Sequence, residues 1–525
     1  MRLTMRASRM LMCSTLAMTA GIAPALSEEV VLRSADGTVD LKGEFLGFED
    51  NVYSIRTILG AIQISAERVR CEGAACPTFE SAAADISIRG SDTVGLGVMP
   101  LLLEGYAGVR DAETTISATG TSNEILASMV ADGGYGDDMG KILVTSTSSG
   151  DAFKYLLDKS AHIGMSSRRI TPEEARALRD AGAGNMVDPD NERIVAVDSL
   201  VVVTHPDNPI TALSMEQLAG IYSGRITDWS QVGGNPGPIL VVDHQRESGT
   251  RTVFTDAVMG GTDSVLSTAQ IVTDENAAAR FVNDNPGAIG YVGYAFQRGA
   301  KPITLVNQCG LSMTPDAFSA RTEEYALQRR LYLYNRADLD DGNARSFLDY
   351  AVSPDADPLI RKAGFIDLGV DTRSQDLDSD RGRLLSDPNA DPYEQGVMDE
   401  MLAMMQDYDR LSTTFRFRTG SSKLDERGLI DMKRLTEYLQ DVPRGSKVLF
   451  VGFTDDVGSF DANRDLSFDR SAAAMNELLN FAGAQLSDLE VTSMGFGEVA
   501  PSGCNDTDRG RSINRRVEVW LQLPS

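Results

Sequence analysis

Across residues 86 to about 368, short apolar runs alternate with stretches of helical spacing, and small polar turns join them. Strand–turn–helix units of this kind assemble into an α/β fold built on an open sheet. The alternation also fixes where a ligand belongs, because open α/β sheets collect ligands beyond the carboxyl ends of their strands. Four such ends carry hydroxyl residues, three of them with Gly. The run at 86–89 leads into Gly90-Ser91-Asp92-Thr93, and the run at 115–118 into Thr119-Gly120-Thr121-Ser122. After the second, Ile125, Leu126 and Met129 predict a helix. His162-Ile163-Gly164-Met165 leads into Ser166-Ser167-Arg168. The apolar stretch 239–242 is followed, past a polar turn, by Ser248-Gly249-Thr250 and a helix that carries Val253, Phe254, Ala257 and Val258.

The last of these corners has the chemistry of an anion site. The first N–H groups of a helix lack intrahelical partners, and the helix dipole places partial positive charge there. Gly249 lets the backbone approach a ligand closely, while the Ser248 and Thr250 hydroxyls add donors. Such a corner suits a small oxyanion. Taken alone, Ser248 is as well explained as a plain N-cap. Four hydroxyl-bearing strand ends in one α/β unit shift the balance towards a shared cleft.

At 525 residues the chain is too long for one ordinary core, so several domains are expected. A formal net charge of −27 argues against nucleic acid and anionic membrane surfaces as partners, since both require basic footprints. Arg2, Arg6 and Arg9 precede an apolar run at 10–20, and Ala25-Leu26-Ser27 supplies small residues, which predicts a secretory signal over 1–27. No later stretch is long and apolar enough to span a bilayer as a helix. The expected compartment is an oxidising one, where Cys71 and Cys76 would close a local disulfide. Cys309 and Cys504 fall in different domains, and the sequence leaves their state open. The three His residues are scattered, so neither a metal site nor a cofactor is expected. Acyl transfer is disfavoured too, because the Gly-x-Ser-x-Gly elbow is missing around Ser248.

Either side of the α/β region the texture changes. Residues 28–80 alternate apolar and polar with turns at Asp36-Gly37 and Asp50-Asn51, which predicts a small all-β module for binding or packing. Residues 371–396 are acidic, Pro-containing and without periodicity, and are expected to form a flexible linker. Residues 397–525 show a short amphipathic helix, then strand and helix patterns in a βαβαββ-like order.

Asn208-Pro209-Ile210-Thr211-Ala212-Leu213-Ser214, Leu218-Ala219-Gly220-Ile221-Tyr222-Ser223-Gly224 and Thr227-Asp228-Trp229 closely resemble the signature of PstS-type periplasmic phosphate-binding proteins. So do Asn285-Pro286-Gly287-Ala288-Ile289-Gly290-Tyr291 and Lys362-Ala363-Gly364-Phe365. The resemblance covers residues 85–370 and implies a two-lobed periplasmic binding protein fold that closes on an oxyanion, with an ABC permease as the partner it implies. Matched by motif, Ser91, Asp92 and Thr93 fall in the first anion loop and Thr121 in the second. Ser166 and Ser167 fall in the third, and Ser248, Gly249 and Thr250 in the fourth. Two positions depart from the pattern: Ser167 stands where the most phosphate-selective members carry Asp, and His244 stands where a clamping Arg is usual. Asp92 is the nearby acceptor, and Arg168, Arg246 and Arg251 are the nearby cations. Phosphate, sulfate and an organic phosphate all remain open as the ligand.

Val451-Gly452-Phe453-Thr454-Asp455, Asn463, Leu466-Ser467, Arg470 and Asn514-Arg515-Arg516-Val517-Glu518 resemble the OmpA-like peptidoglycan-binding domain. That resemblance implies that Asp455 and Arg470, supported by Thr454 and Asn463, grip the zwitterionic end of diaminopimelate in peptidoglycan. The chemistry fits, since a carboxylate pairs an ammonium and a guanidinium holds a carboxylate bidentately. The alternative is that Asp455 and Arg470 merely pair with each other. The expected whole is a two-lobed solute-binding protein with a small β module in front and an α+β wall anchor behind, and not an enzyme. The competing expectation is an envelope scaffold whose PstS-like cleft binds no ligand.

Overall fold

The computed structural model describes residues 29–524 except 35–39, 50–51, 67–68, 74, 78–83, 120, 122, 263, 340, 387–390 and 417–427. The expected signal segment, 1–27, lies outside the described residues.

The N-terminal alternation forms an antiparallel five-stranded sheet ordered Gly60–Ser65, Val52–Thr57, Asp40–Glu49, Glu29–Ser34, Val69–Glu72. Val30, Leu32, Tyr53 and Ile55 point to one side and form its core, as a period of two dictates. Cys71 and Cys76 are bridged, with Cα atoms 5.7 Å apart. Ala118, from the next unit, packs against this core.

The α/β region builds an 11-stranded sheet among the described residues. Its order runs Gln270–Val272, Leu240–His244, Ala288–Gly293, Glu192–Thr204, Gln328–Asn335, Ile163–Ser166, Ile86–Ser91, Asp138–Thr147, Glu124–Val130, Ala112–Ala118, and the eleventh strand, Lys301–Pro302, pairs with Glu192–Thr204 off this path. The antiparallel pair Glu192–Thr204 and Gln328–Asn335 sits in the middle and runs through both lobes. One lobe packs around Ile88, Val94, Val144, Ile163 and Leu331. The other packs around Leu200, Ile221, Phe254, Tyr291 and Tyr325. Helix starts follow capping chemistry: Thr171 and Ser214 form capping boxes with Glu174 and Gln217. Ser148, Ser248 and Asp274 cap the three helices that begin at the cleft between the lobes.

The helix expected at 125–129 is instead the strand Glu124–Val130, which pairs antiparallel with both of its neighbours. Ile125, Leu126 and Met129 fit a helical stripe locally, but sheet pairing on both sides satisfies their backbone and wins.

The C-terminal sheet is ordered Thr372–Ser374, Asp409–Arg416, Arg516–Gln522, Lys447–Phe453, Glu490–Gly495. The helices Gly428–Gln440 and Phe460–Ala482 cover one face, around Leu435, Phe450, Leu478 and Val519. The region expected to be a flexible linker covers the other. Thr372–Ser374 joins the sheet edge, and the helices Asp380–Leu385 and Pro392–Met405 bury Leu385, Val397, Met401 and Met405 against Val451, Phe453 and Trp520. Arg381 reaches Glu518 at 2.9 Å and lies over the rings of Phe453 and Trp520. The acidic composition hid these few apolar and cationic anchors.

This domain is docked on the binding lobes rather than strung from them. Arg410 donates to both oxygens of Glu324 at 3.2 and 2.7 Å, and Arg434 grips Asp357 at 2.8 and 3.2 Å. Arg416 and Arg509 donate to the carbonyls of Thr322 and Ala326. Cys309 and Cys504, left open by the sequence, are bonded to each other across this junction.

Candidate functional site

The strand Leu240–His244 is buried from Val241 onwards, and an exposed turn at Gln245, Arg246 and Glu247 ends it. Ser248 then caps the helix Gly249–Val258 by accepting from Arg251 N. The plain N-cap reading of Ser248 therefore holds, and Gly249 and Thr250 are the residues carried inward, both buried. A Cβ built on Gly249 would stand 2.3 Å from Ser149 Oγ and 2.3 Å from Ser167 Oγ. Those two serines belong to the opposite lobe, at the head of the helix Ser149–Leu157 and just past the strand Ile163–Ser166. Their hydroxyls bond each other at 3.0 Å, and Ser167 N donates to Ser149 Oγ at 3.0 Å. The lobes thus meet where two helix N-termini and two serine hydroxyls converge.

Beside this contact, Glu275 is buried at the first position of the helix Glu275–Asp284. Its Oε1 accepts from Thr250 Oγ1 at 2.5 Å and, across the cleft, from Thr93 Oγ1 at 3.3 Å. Arg329, on the strand Gln328–Asn335, donates to Thr250 Oγ1 (2.5 Å), Glu275 (3.1 Å) and Asp198 (2.7 Å). Burial is the largest influence and opposes ionisation of Glu275, but Arg329, His244 and the hydrogen bonds from Thr250 and Gly293 N together outweigh it and hold the carboxyl below its usual range. Asp92 goes the other way. It accepts from Thr93 N at 2.8 Å, and burial, then the charge of Glu275, push its pKa up to about 7. Ser91 Oγ is fully buried and hydrogen-bonds to no described residue.

Not every residue singled out in the sequence arrives here. Thr121 lies exposed on the turn between the strands Ala112–Ala118 and Glu124–Val130. The strand end that reaches the corner in its place is Thr147-Ser148-Ser149-Gly150, a fifth with hydroxyls and the fourth with Gly, which sequence reasoning passed over. Ser166 turns its hydroxyl onto Arg168 O at 2.7 Å. The three cations proposed also lie elsewhere. Arg168 is held by Glu174 at 2.9 and 2.7 Å, Arg251 by Asp243 at 2.9 Å, and Arg246 is on the exposed turn. Arg329 is the cation at the corner. Its only sequence signal was a charge at the head of an apolar strand. His244 is buried and its Nε2 meets Tyr291 O at 3.0 Å, so it faces the protein rather than the cleft.

In the C-terminal domain the strand Lys447–Phe453 ends at Thr454 and Asp455, both buried. Asp455 pairs with Arg515 at 2.6 Å rather than with Arg470. Arg470 lies buried in the helix Phe460–Ala482, and burial, then the charge of Arg515, lower its pKa. Asn463 donates to Asp455 O at 3.2 Å and to Glu498 at 2.5 Å. Thr454 Oγ1 is buried and hydrogen-bonds to no described residue. One carboxylate and two guanidiniums therefore share a rim. The helix that carries Asn463 and Arg470 begins at Phe460 and is capped by Ser459.

Comparison with known proteins decides the family. The profile described as the PBP superfamily domain matches residues 82–366. The chain belongs to the PBP superfamily. A second profile, the OmpA family, matches residues 416–515. Among curated proteins, the chain is similar to the phosphate-binding protein PstS of Bacillus subtilis, 28% identical over 228 residues, covering 43% of this chain and 70% of that protein. It is also similar to PstS of Borreliella burgdorferi, 25% identical over 271 residues, covering 50% of this chain and 92% of that one. Among solved structures it resembles an ABC-type phosphate transport receptor from Vibrio cholerae at 26% identity and a TM-score of 0.40, over 54% of this chain and 99% of the receptor. This PBP superfamily chain is thus a PstS-type module with an OmpA-family domain behind it, as the motifs implied. Among the described residues no helix is long and apolar enough to cross a membrane.

Proposed function

We propose that this chain captures phosphate or a closely related oxyanion in the periplasm while its C-terminal domain holds peptidoglycan. One observation carries the first half: Thr93, Ser149, Ser167, Gly249 and Thr250, from both lobes, converge where helices begin. Helix N-termini supply N–H donors and positive potential, and donors that replace hydration are what a buried anion requires. Capture is non-covalent, and the strands Glu192–Thr204 and Gln328–Asn335 are the natural hinge between the lobes. The names of the curated relatives support phosphate binding, and uptake with delivery to an ABC permease, ahead of sensing, is the role we give it. On the wall side, Asp455 would pair the ammonium of diaminopimelate, and Arg470 with Arg515 its carboxylate.

Calorimetry of the mature protein against phosphate and sulfate tests the first half. Thr250→Val should weaken binding at least tenfold, and an unchanged affinity would overturn the cleft assignment. Sedimentation with isolated peptidoglycan tests the second, where Asp455→Ala should leave the protein in the supernatant. A scaffold that binds no anion is favoured by one observation: Thr93, Thr250 and Arg329 are already satisfied by Glu275. Absence of heat with every anion would select that reading.

A further inference from the structure

The lobes are in contact, yet a cavity of about 580 Å³ stays open beside the oxyanion corner. The Thr93–Glu275 hydrogen bond and the approach of Gly249 to Ser149 and Ser167 both cross the cleft, so this space does not come from parted lobes. Its walls come from three units: the first lobe through Asp92, Ser146 and Asp151, the second through Glu247 and Asp274, and the N-terminal module through Arg33 and Glu72. The module reaches both lobes. Ala118 of the first lobe packs on the module's core, and Asp40 of the module pairs with Arg280 of the second lobe at 3.4 Å. Cavities of this size hold small organic molecules, whereas inorganic phosphate would fill the corner alone.

The wall also has a sign. Glu72, Asp151, Glu247 and Asp274 face two guanidiniums, Arg33, which bridges Glu72 at 3.2 Å, and Arg280, so the wall keeps an acidic excess before Asp92 is counted. The neighbours just outside cancel, since Asp40 pairs with Arg33 and Arg280 while Lys154 pairs with Asp151. Ser146, 3% exposed, lines the same space, and among the described residues none hydrogen-bonds to its hydroxyl. A second anionic group would be repelled here and a cationic one attracted, most strongly at these short ranges.

Building on the oxyanion reading of the corner, we infer that the cavity roofed by the N-terminal module is the site for the cationic substituent of a zwitterionic phosphate monoester. The phosphoryl group occupies the corner, the ammonium faces Glu72 and Glu247, and the Ser146 hydroxyl meets the linking atoms. The module then has a role in recognition, as the third wall of the ligand site.

Calorimetry with three probes tests this: inorganic phosphate, O-phosphoethanolamine and glycerol 3-phosphate, which is of similar length but lacks the ammonium. The wild-type protein should bind phosphoethanolamine at least tenfold more tightly than either of the others. Glu72→Gln with Glu247→Gln should bring the phosphoethanolamine-to-glycerol-phosphate affinity ratio close to one. Equal affinity for the two esters in the wild type, or a ratio that survives the double substitution, would overturn the inference. Tight binding of phosphate with rejection of both esters would overturn it while leaving the oxyanion corner standing. Failure of all three probes would overturn both.

Discussion

Gly249→Ala places one methyl group at the contact between the lobes. The added carbon would lie 2.3 Å from both Ser149 Oγ and Ser167 Oγ and 3.1 Å from Ser149 Cβ. Comfortable contact needs about 3.5 Å, so the shortfall is roughly 1 Å. Neither hydroxyl yields freely, because they bond each other and Ser149 Oγ also accepts from Ser167 N. Overpacking of this kind costs about 1–3 kcal/mol. The strain exists only with the lobes shut, so all of it falls on the closed, ligand-holding state. At about 1.4 kcal/mol per decade, phosphate affinity should drop roughly 5- to 150-fold. The folded protein should not suffer: Gly249 opens a helix at an ordinary backbone angle, and Ala is the better helix former by about 1 kcal/mol. Calorimetric titration beside thermal melting separates the two effects. Unchanged affinity, or a melting temperature that falls along with the affinity, would refute the reasoning.

Asp92→Asn should flatten the acid side of the stability profile. The raised pKa means that the folded state holds its proton longer than the unfolded chain, so wild-type stability falls as pH rises from 3.8 to about 7. Urea midpoints measured across that window should decline in the wild type and much less in the variant. Arg515→Ala leaves Asp455 buried without its partner and should weaken peptidoglycan co-sedimentation by about 2–5 kcal/mol equivalent. Glu324→Ala strips the buried Arg410 of its nearer carboxylate at the domain junction and leaves it Glu518 alone, at 3.3 Å. A loss of about 3–5 kcal/mol is expected, visible in calorimetry as separate melting of the two domains.

Much of the site was legible because its chemistry is local. A hydroxyl close to Gly at a strand end commonly marks a helix N-terminus, as at Thr93, Gly249 and Thr250, while Ser167 carries the hydroxyl alone. The same mark misleads at Thr121, where the strand end turns into a hairpin, and it was overlooked at Ser149. Only long-range pairing tells these apart: Asp138–Thr147 lies beside Ile86–Ser91 in parallel, while Glu124–Val130 does not. Glu275 and Arg329 were out of reach, since each acts through partners far away in the chain. The segment 371–396 failed for another reason. Its composition averages to that of a linker, but a few residues such as Arg381 and Leu385 carry the packing.

The docked C-terminal domain changes what kind of anchor this is. A free chain the length of that segment would let the lobes wander through a radius of roughly 25–30 Å, with the cleft facing any direction. The junction at Glu324, Asp357 and Cys309 removes that freedom. A wall strand held at Asp455, as proposed, would then set the bearing of the cleft as well as its distance from the wall. Every anchored copy presents its mouth at one angle, like a bracket fixed to a plane rather than a buoy on a line.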